Sequence, residues 1–399
     1  MRAIDVRDFG YISAASVNLA IDAAVAEGGG VVDLAVRLVE YDTPIILKSG
    51  VTLRGQGPLA GKLQAAPGAN CDAIKSEGFD ALVGTGSLGG VSSCGIEGIY
   101  IDARKDVNAG RGVCLYGHSW KMKDVRVSNA SGDGIVTEWG NWGTPEPQRS
   151  MEAEMLNTRV NDCDGRGYFI NGPHDMRVIG AMATCNLGTN IHAGPRAGGA
   201  KFIGCHGWSY GLPQQSPARQ SAVCWLLDSA VSLTACHGEG ATDVQCWLRA
   251  NDIEINGGWF FRMSQTGDPA YDNNCLAFRI GETNGAWIGS YSIRSKVFNT
   301  LKGIVEHTNR DGGNGDIDIL SYMWGTPTQL VIGNHPATTA VKIHNRGASP
   351  AFYERLPGDL SVGGALKFGT YTAQAGMTQA GYVTITDQSG AQRKIAVVQ

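Results

Sequence analysis

The chain has 399 residues with 33 basic and 37 acidic side chains, a formal net charge of −4, so it lacks the basic footprint of a nucleic-acid binder. Charged residues are only 18% and glycine is 56 of 399, which fits a strand- and turn-rich protein better than a helical one. No apolar run approaches the roughly 20 residues of a membrane span, and the opening MRAIDVRDFG lacks a signal-peptide core, so the expectation is a chain made in the cytoplasm without a leader. Its ten cysteines contain no Cys-x-x-Cys pair, and free, buried thiols are expected rather than disulfides.

The first predicted element is an amphipathic helix within ASVNLAIDAAVAEGGGVVDLA (Ala15–Ala35), followed by a glycine break and a strand. Next comes TPIILKSGVTLRGQG, Thr43–Gly57. Val6, Asp8, Phe9 and Gly10, then Gly28–Val32, then Leu47–Gly57, follow the order V-x-D-F-G, GGG-V-V, L-K-S-G-V-x-L-x-G-x-G. In this the chain resembles the pectate-lyase-like β-helix superfamily, phage tailspike depolymerases in particular. The resemblance implies a helix that caps the open first coil. YISAAS replaces the GDG…DDT stretch usual in the family, which leaves the implied fold intact. The catalytic motif sets of polygalacturonases and the paired-aspartate calcium pattern of pectate lyases are missing, so the resemblance carries no catalytic residue.

The middle of the chain repeats itself. NASGDGI (Asn129–Ile135), DCDGRGY (Asp162–Tyr168), CNLGTNI (Cys185–Ile191), GCHGWSY (Gly204–Tyr210) and ACHGEGA (Ala235–Ala241) share one shape. Their first column holds Ala130, Cys163, Cys185, Cys205 and Cys236, and their last holds Ile135, Tyr168, Ile191, Tyr210 and Ala241. Both are expected to point inward. Val127, Val160, Met182, Phe202 and Leu233 lie three residues before the first column, and Gly132, Gly165, Gly188, Gly207 and Gly238 mark a tight turn. Short strands with a period of about 20 residues predict an all-β, single-stranded, right-handed parallel β-helix. On this reading the twice-used Cys-His-Gly is a coil corner, not a metal site, and neither metal nor cofactor is expected.

Three regions follow: an N-terminal cap and first coils (1–57), the β-helix (58–348) and a C-terminal segment (349–399). The last reads as strands and turns, with a hairpin signal at DQSGAQ. It resembles the C-terminal parts of phage tail proteins, which implies a cap or trimerisation foot, hence a homotrimer on a virion tail.

Function in such a solenoid is expected on loops inserted on one face. Thr137–Glu154 holds Trp139 and Trp142 with Glu138, and Gly207–Gln220 holds Trp208. The tryptophans are candidate sugar platforms, and His192, Arg196 and Glu239 are candidate binding residues. Asp133 and Asp164, on neighbouring rungs ~4.8 Å apart, form a candidate carboxylate pair at the spacing of a retaining glycosidase. Glu138, Arg166 and His206 complete the catalytic candidates, with Glu239 and Asp243 next in line. The expected activity is hydrolysis of a bacterial surface polysaccharide (capsule, exopolysaccharide or O-antigen). A lyase using histidine and arginine is the alternative, and a non-catalytic carbohydrate-binding tail or adhesion protein is the rival from another class.

Overall fold

A computed structural model describes residues 3–35, 38–58, 61–140, 152–209, 221–262, 275–281, 288–298, 300, 302–308, 311–322, 331–332, 340–346, 352–355, 379–386 and 392–398. Two compact units are present, Met1–Gly358 and Asp359–Gln399. The second contains an antiparallel hairpin of Gln379–Thr386 with Gln392–Val398, flanking the turn expected at DQSGAQ.

The first unit begins with helix α1, Ala14–Ala26, whose N-terminus is closed by a Ser13/Ser16 capping box. Ala14, Val17, Ala20, Ile21 and Ala24 turn its buried face onto the first coil. The glycine motifs on either side of the helix's exit are there because they touch. Gly30 N donates to Gly50 O at 3.0 Å. Gly29 sits at φ +105, where a Cβ would lie 2.7 Å from Gly50 O, so only glycine fits there.

Beyond the cap the chain winds as a right-handed parallel β-helix. Each coil contributes three short strands to three stacks. The first stack includes Lys121–Lys123, Glu154–Leu156, Arg177–Ile179, Lys201–Ile203 and Ser232–Thr234. The second includes Arg126–Ser128, Arg159–Asn161, Met182–Thr184, His206–Trp208 and His237–Glu239. These two belong to one sheet. The third stack, a separate sheet, includes Val113–His118, Ile135–Glu138, Tyr168–Asn171, Ile191–Ala193, Val223–Leu227, Val244–Leu248 and Leu276–Ile280.

The parallel register fixes the core. Met122, Met155, Val178, Phe202 and Leu233 stack inside the first stack. Val127, Val160, Ala183, Gly207 and Gly238 do so inside the second, and Ile135, Tyr168, Ile191, Trp225 and Cys246 inside the third. All are buried, and a side chain such as Phe202 contributes about 1.5–3 kcal/mol by leaving water.

This register corrects the sequence alignment. Ala130 and Cys163 follow the second stack, whereas Cys205 and Cys236 sit between the first and second. Each coil therefore uses the strand–small–turn pattern twice, and the alignment slipped by one residue at Cys185 and by half a coil from Cys205 onward. Met182 accordingly points outward and Ala183 inward, and Trp225 follows Ile191 in the third stack. Tyr210 lies outside the described residues. Cys185 is also not internal: it is half-buried at φ +54, the left-handed corner held by Asp162 one coil earlier. Asn186 takes the inward place, fully buried and accepting from Cys163 N at 3.0 Å.

Cys-His-Gly recurs because three directions recur. Cys205 and Cys236 turn inward, their thiols donating to Val178 O and Phe202 O of the preceding coil at 3.3 and 3.4 Å. The histidines face out, and the glycines make room for Trp225. A Cβ on Gly207 would meet Cys224 Sγ at 2.5 Å, and one on Gly238 would meet Trp225 Cδ1 at 3.1 Å. Among the described residues, no three His, Cys, Asp or Glu side chains are placed to share a metal ion.

Candidate functional site

The outward column of the third stack runs Val136, Phe169, His192, Leu226, Trp247, Arg279 on successive coils. Its early part is covered. The short helix Phe79–Leu82 and the segment after it close over Cys114, Tyr116 and Val136 in a satellite apolar cluster that includes Trp139. From Phe169 onward the column is only partly buried, and charged side chains gather there.

Arg166 is the centre of this group. Its Nη2 lies 2.7 Å from Asp133 Oδ2, its Nε contacts both oxygens of that carboxylate, and its backbone N–H donates to Asp133 Oδ1 at 2.6 Å. The guanidinium lies over the Phe169 ring, 3.6 Å from its centroid. Its Nη1 reaches His192 Nδ1 at 3.3 Å. On the other side of the imidazole, Nε2 is 2.8 Å from Asp228 Oδ2. The arginine can only donate, so Nδ1 accepts, and Nε2 carries the proton donated to Asp228. Arg249 Nε pairs with Asp228 Oδ1 at 2.9 Å, and its guanidinium lies beside Trp247. The result is a relay, Asp133–Arg166–His192–Asp228–Arg249, laid across coils on one sheet face.

Several expected site residues have other duties. Glu138 is buried, accepting from Arg196 Nη1 at 2.6 Å and from Gly84 N at 2.8 Å. That pair fastens the covering segment. Trp139 is 7% exposed, and its Nε1 donates to Leu88 O and Gly89 O at 3.3 and 3.0 Å. It is a packing residue, not a sugar platform, because the 79–90 segment lies on it. Asp164 is paired with Lys105 at 3.0 Å, whereas Asp133 is committed to Arg166. The expected carboxylate pair is thus divided between two cations. Trp142 lies outside the described residues, as do 141–151 and 210–220 in the two inserted loops expected to carry function.

His206, Trp208 and Glu239 form a second group on the second stack, a different sheet from the relay. His206 Nε2 is 3.2 Å from the buried Glu239 Oε2, and the His206 ring lies 6.4 Å from that of Trp208 and 5.4 Å from that of His237. The catalytic candidates Asp133 and His206, expected together on one face, therefore fall in two separate groups. Burial and the neighbouring His206 hold the His237 imidazole below its ordinary value. Asp243, the reserve candidate, is bound by Arg279 at 2.6 Å. Phe169, Asp228, Trp247 and Arg249 escaped the sequence reading because they stand outside the repeated corner motif. The usable signal was a charged residue directly after an apolar strand, as in Leu226–Leu227–Asp228.

No family model matches the chain, and no curated protein sequence matches it. Solved structures do. The A-module of the Azotobacter vinelandii mannuronan C-5 epimerase AlgE4 is 17% identical over 85% of this chain and 100% of that one, with a TM-score of 0.58. The gp42 tailspike of Acinetobacter phage vb_AbaP_AS12 is 11% identical over 94% of this chain and 67% of that one, with a TM-score of 0.50. The Streptococcus pneumoniae surface adhesin PfbA is 12% identical over 87% and 99%, with a TM-score of 0.50. At such identities it is architecture that is shared: the chain has the right-handed parallel β-helix fold of these structures.

Proposed function

We propose that the chain is a tailspike-like depolymerase that binds an acidic bacterial surface polysaccharide across the outer face of the third stack and cleaves it by β-elimination. The observation that carries this reading is His192 held between Asp228 and Arg166. Asp228 fixes the tautomer that leaves Nδ1 as the basic nitrogen, and Arg166 is a planar, permanently charged fork suited to a carboxylate. A uronate carboxylate entering the site draws Arg166 Nη1 onto itself and frees Nδ1. Neutralising the carboxylate acidifies the adjacent C5–H. His192 takes that proton, the electron pair forms the C4=C5 double bond, the C4–O bond breaks, and the departing oxygen is protonated from water. Trp247, beside the relay, offers a face for a neighbouring sugar.

Elimination displaces the hydrolysis expected from the sequence because Asp133 and Asp164 are matched to separate cations, which leaves neither free as the acid of a pair. A place on a virion tail as a homotrimer is part of the same reading. It is supported by the tail-like sequence after Ser349 and by the fold shared with the phage tailspike.

Incubation with capsular, exo- and lipopolysaccharides tests the chemistry. New reducing ends with the ultraviolet band of unsaturated uronates are expected. Reducing ends without that band mean hydrolysis, and binding without either means a carbohydrate-binding protein. Light scattering on the full chain and on a chain lacking 350–399 tests the assembly. A trimer that persists after the deletion removes the foot from the proposal.

A further inference from the structure

We propose that a second groove, at the bend between the first and second stacks, binds an anionic sugar residue of the polysaccharide and anchors the chain away from the reacting bond. This rests on the reading of the protein as a binder of acidic polysaccharide, but not on the chemistry assigned to His192. The groove has a volume of about 420 Å³, and Pro58, Asp124, Arg126, Asn157, Arg159 and Met182 are among its lining. That is within the usual range for a small-ligand site, roughly 300–1,000 Å³.

Its geometry follows from the coil. Asp124 and Asn157 turn the chain between stacks at φ 52 and 51. Two residues make each bend, Asp124–Val125 and Asn157–Thr158, so the next strand follows closely. Arg126 and Arg159 open their strands as register partners on adjacent coils. Like charges placed opposite each other on paired strands are destabilising, and elsewhere on this sheet cations have partners, as Lys62 has Asp102 at 2.9 Å. Arg126 lies over the Tyr100 ring at 5.2 Å and gives Nε to Asn161 Oδ1 at 3.3 Å. Those contacts fix the plane of its fork while its terminal nitrogens have no protein partner among the described residues. Arg159 is exposed, and no described carboxylate lies within ion-pair distance of either arginine. Asp124, the carboxylate in this lining, accepts from Asn157 Nδ2 at 3.4 Å.

Two opposed guanidinium groups against one carboxylate leave net positive charge in a pocket of sugar size. A planar fork reads a carboxylate or a sulfate through two parallel hydrogen bonds, and Met182 supplies an apolar wall for the C–H face of the ring. The same outward column continues as His206, His237 and Trp259, so a chain leaving the groove crosses polar aromatic rings.

Met182 also supplies the assay. In the full chain labelled with 13C-methyl methionine, its resonance is assigned by loss in Met182→Leu. Oligogalacturonate is the carboxylate probe, dextran sulfate the sulfate probe and maltohexaose the neutral control. A saturable Met182 shift is expected with an anionic probe and not with maltohexaose. Whichever anion shifts it names the group read. Arg126→Gln/Arg159→Gln should weaken that binding at least about tenfold, consistent with lost charge-assisted hydrogen bonds, and Arg159→Gln alone should act in the same direction at an exposed position. His192→Ala should leave the shift in place, so an inactive relay and an empty groove give different results. No Met182 shift with either anionic probe, or wild-type affinity in the double variant, overturns the groove.

Discussion

His192 Nε2 and Asp228 Oδ2 stand 2.8 Å apart on neighbouring coils although 36 residues separate them in the chain. The contact selects the imidazole tautomer, and Asp228→Asn keeps its shape while removing its charge. Turnover should fall about 10²–10⁴-fold, the range for a misplaced general base, with oligosaccharide affinity little changed. A Kd that rises in step with the lost turnover would make Asp228 a binding residue instead.

Asp133 and Asp164 separate elimination from hydrolysis. Asp133→Asn loosens Arg166 and should lower kcat/KM strongly. Asp164→Asn breaks an exposed ion pair with Lys105, a contact worth roughly 0–1 kcal/mol, and should leave activity within about twofold of wild type on that argument. Equal, large losses in both variants would restore the carboxylate pair.

Burial makes most of the thiols inert. It pushes Cys94, Cys224 and Cys275 up to about 12 and drives Cys246 well above its ordinary value. None of the ten cysteines is in a disulfide. A thiol reagent should therefore react slowly with the native protein and titrate ten groups in denaturant without reductant. A smaller count would reveal a disulfide and disrupt the stacking of Cys205 on Cys236.

Trp139 should behave as core. Trp139→Ala removes a buried indole and both of its hydrogen bonds to the 79–90 segment, at a cost of about 3–5 kcal/mol. Thermal unfolding should shift down clearly while the remaining folded protein keeps its affinity for oligosaccharide. An unchanged Tm with weakened binding would return Trp139 to the role of platform.

The fold was legible because a solenoid writes its period into the chain, and the cap because Gly29 and Gly50 must be glycine to touch. The rung alignment was only half legible. Each coil carries two short strands followed by small turn residues, and pattern alone cannot tell the corner at Cys163 from the corner at Cys205. Side-chain direction then inverted for Met182 and Ala183, as it must when a register slips by one residue. The site was legible as residue types but not as partnerships. Arg166 and His192 stood out, yet their joining to Asp133 and Asp228 depends on which strands are neighbours. Trp139 and Glu138 looked exposed because nothing in their own segment announces that 79–90 covers them.

The coil also sets how the chain can fold. Val160 pairs with Ala183, 23 residues on, and Ala183 with Gly207, 24 residues on. In a chain of 399 residues these are short closures for parallel strands. Loop-closure entropy grows only slowly with length, but it must be overcome before a pairing gives anything back. Here each pairing needs about one turn of chain, and none has to wait for the far end to be made. With α1 closing the first coil at the N-terminal side, that coil can order as soon as it is synthesised and present an open edge to the next. Growth from the capped end resembles elongation of a filament more than collapse of a globule, with the most recent coil as the only exposed edge.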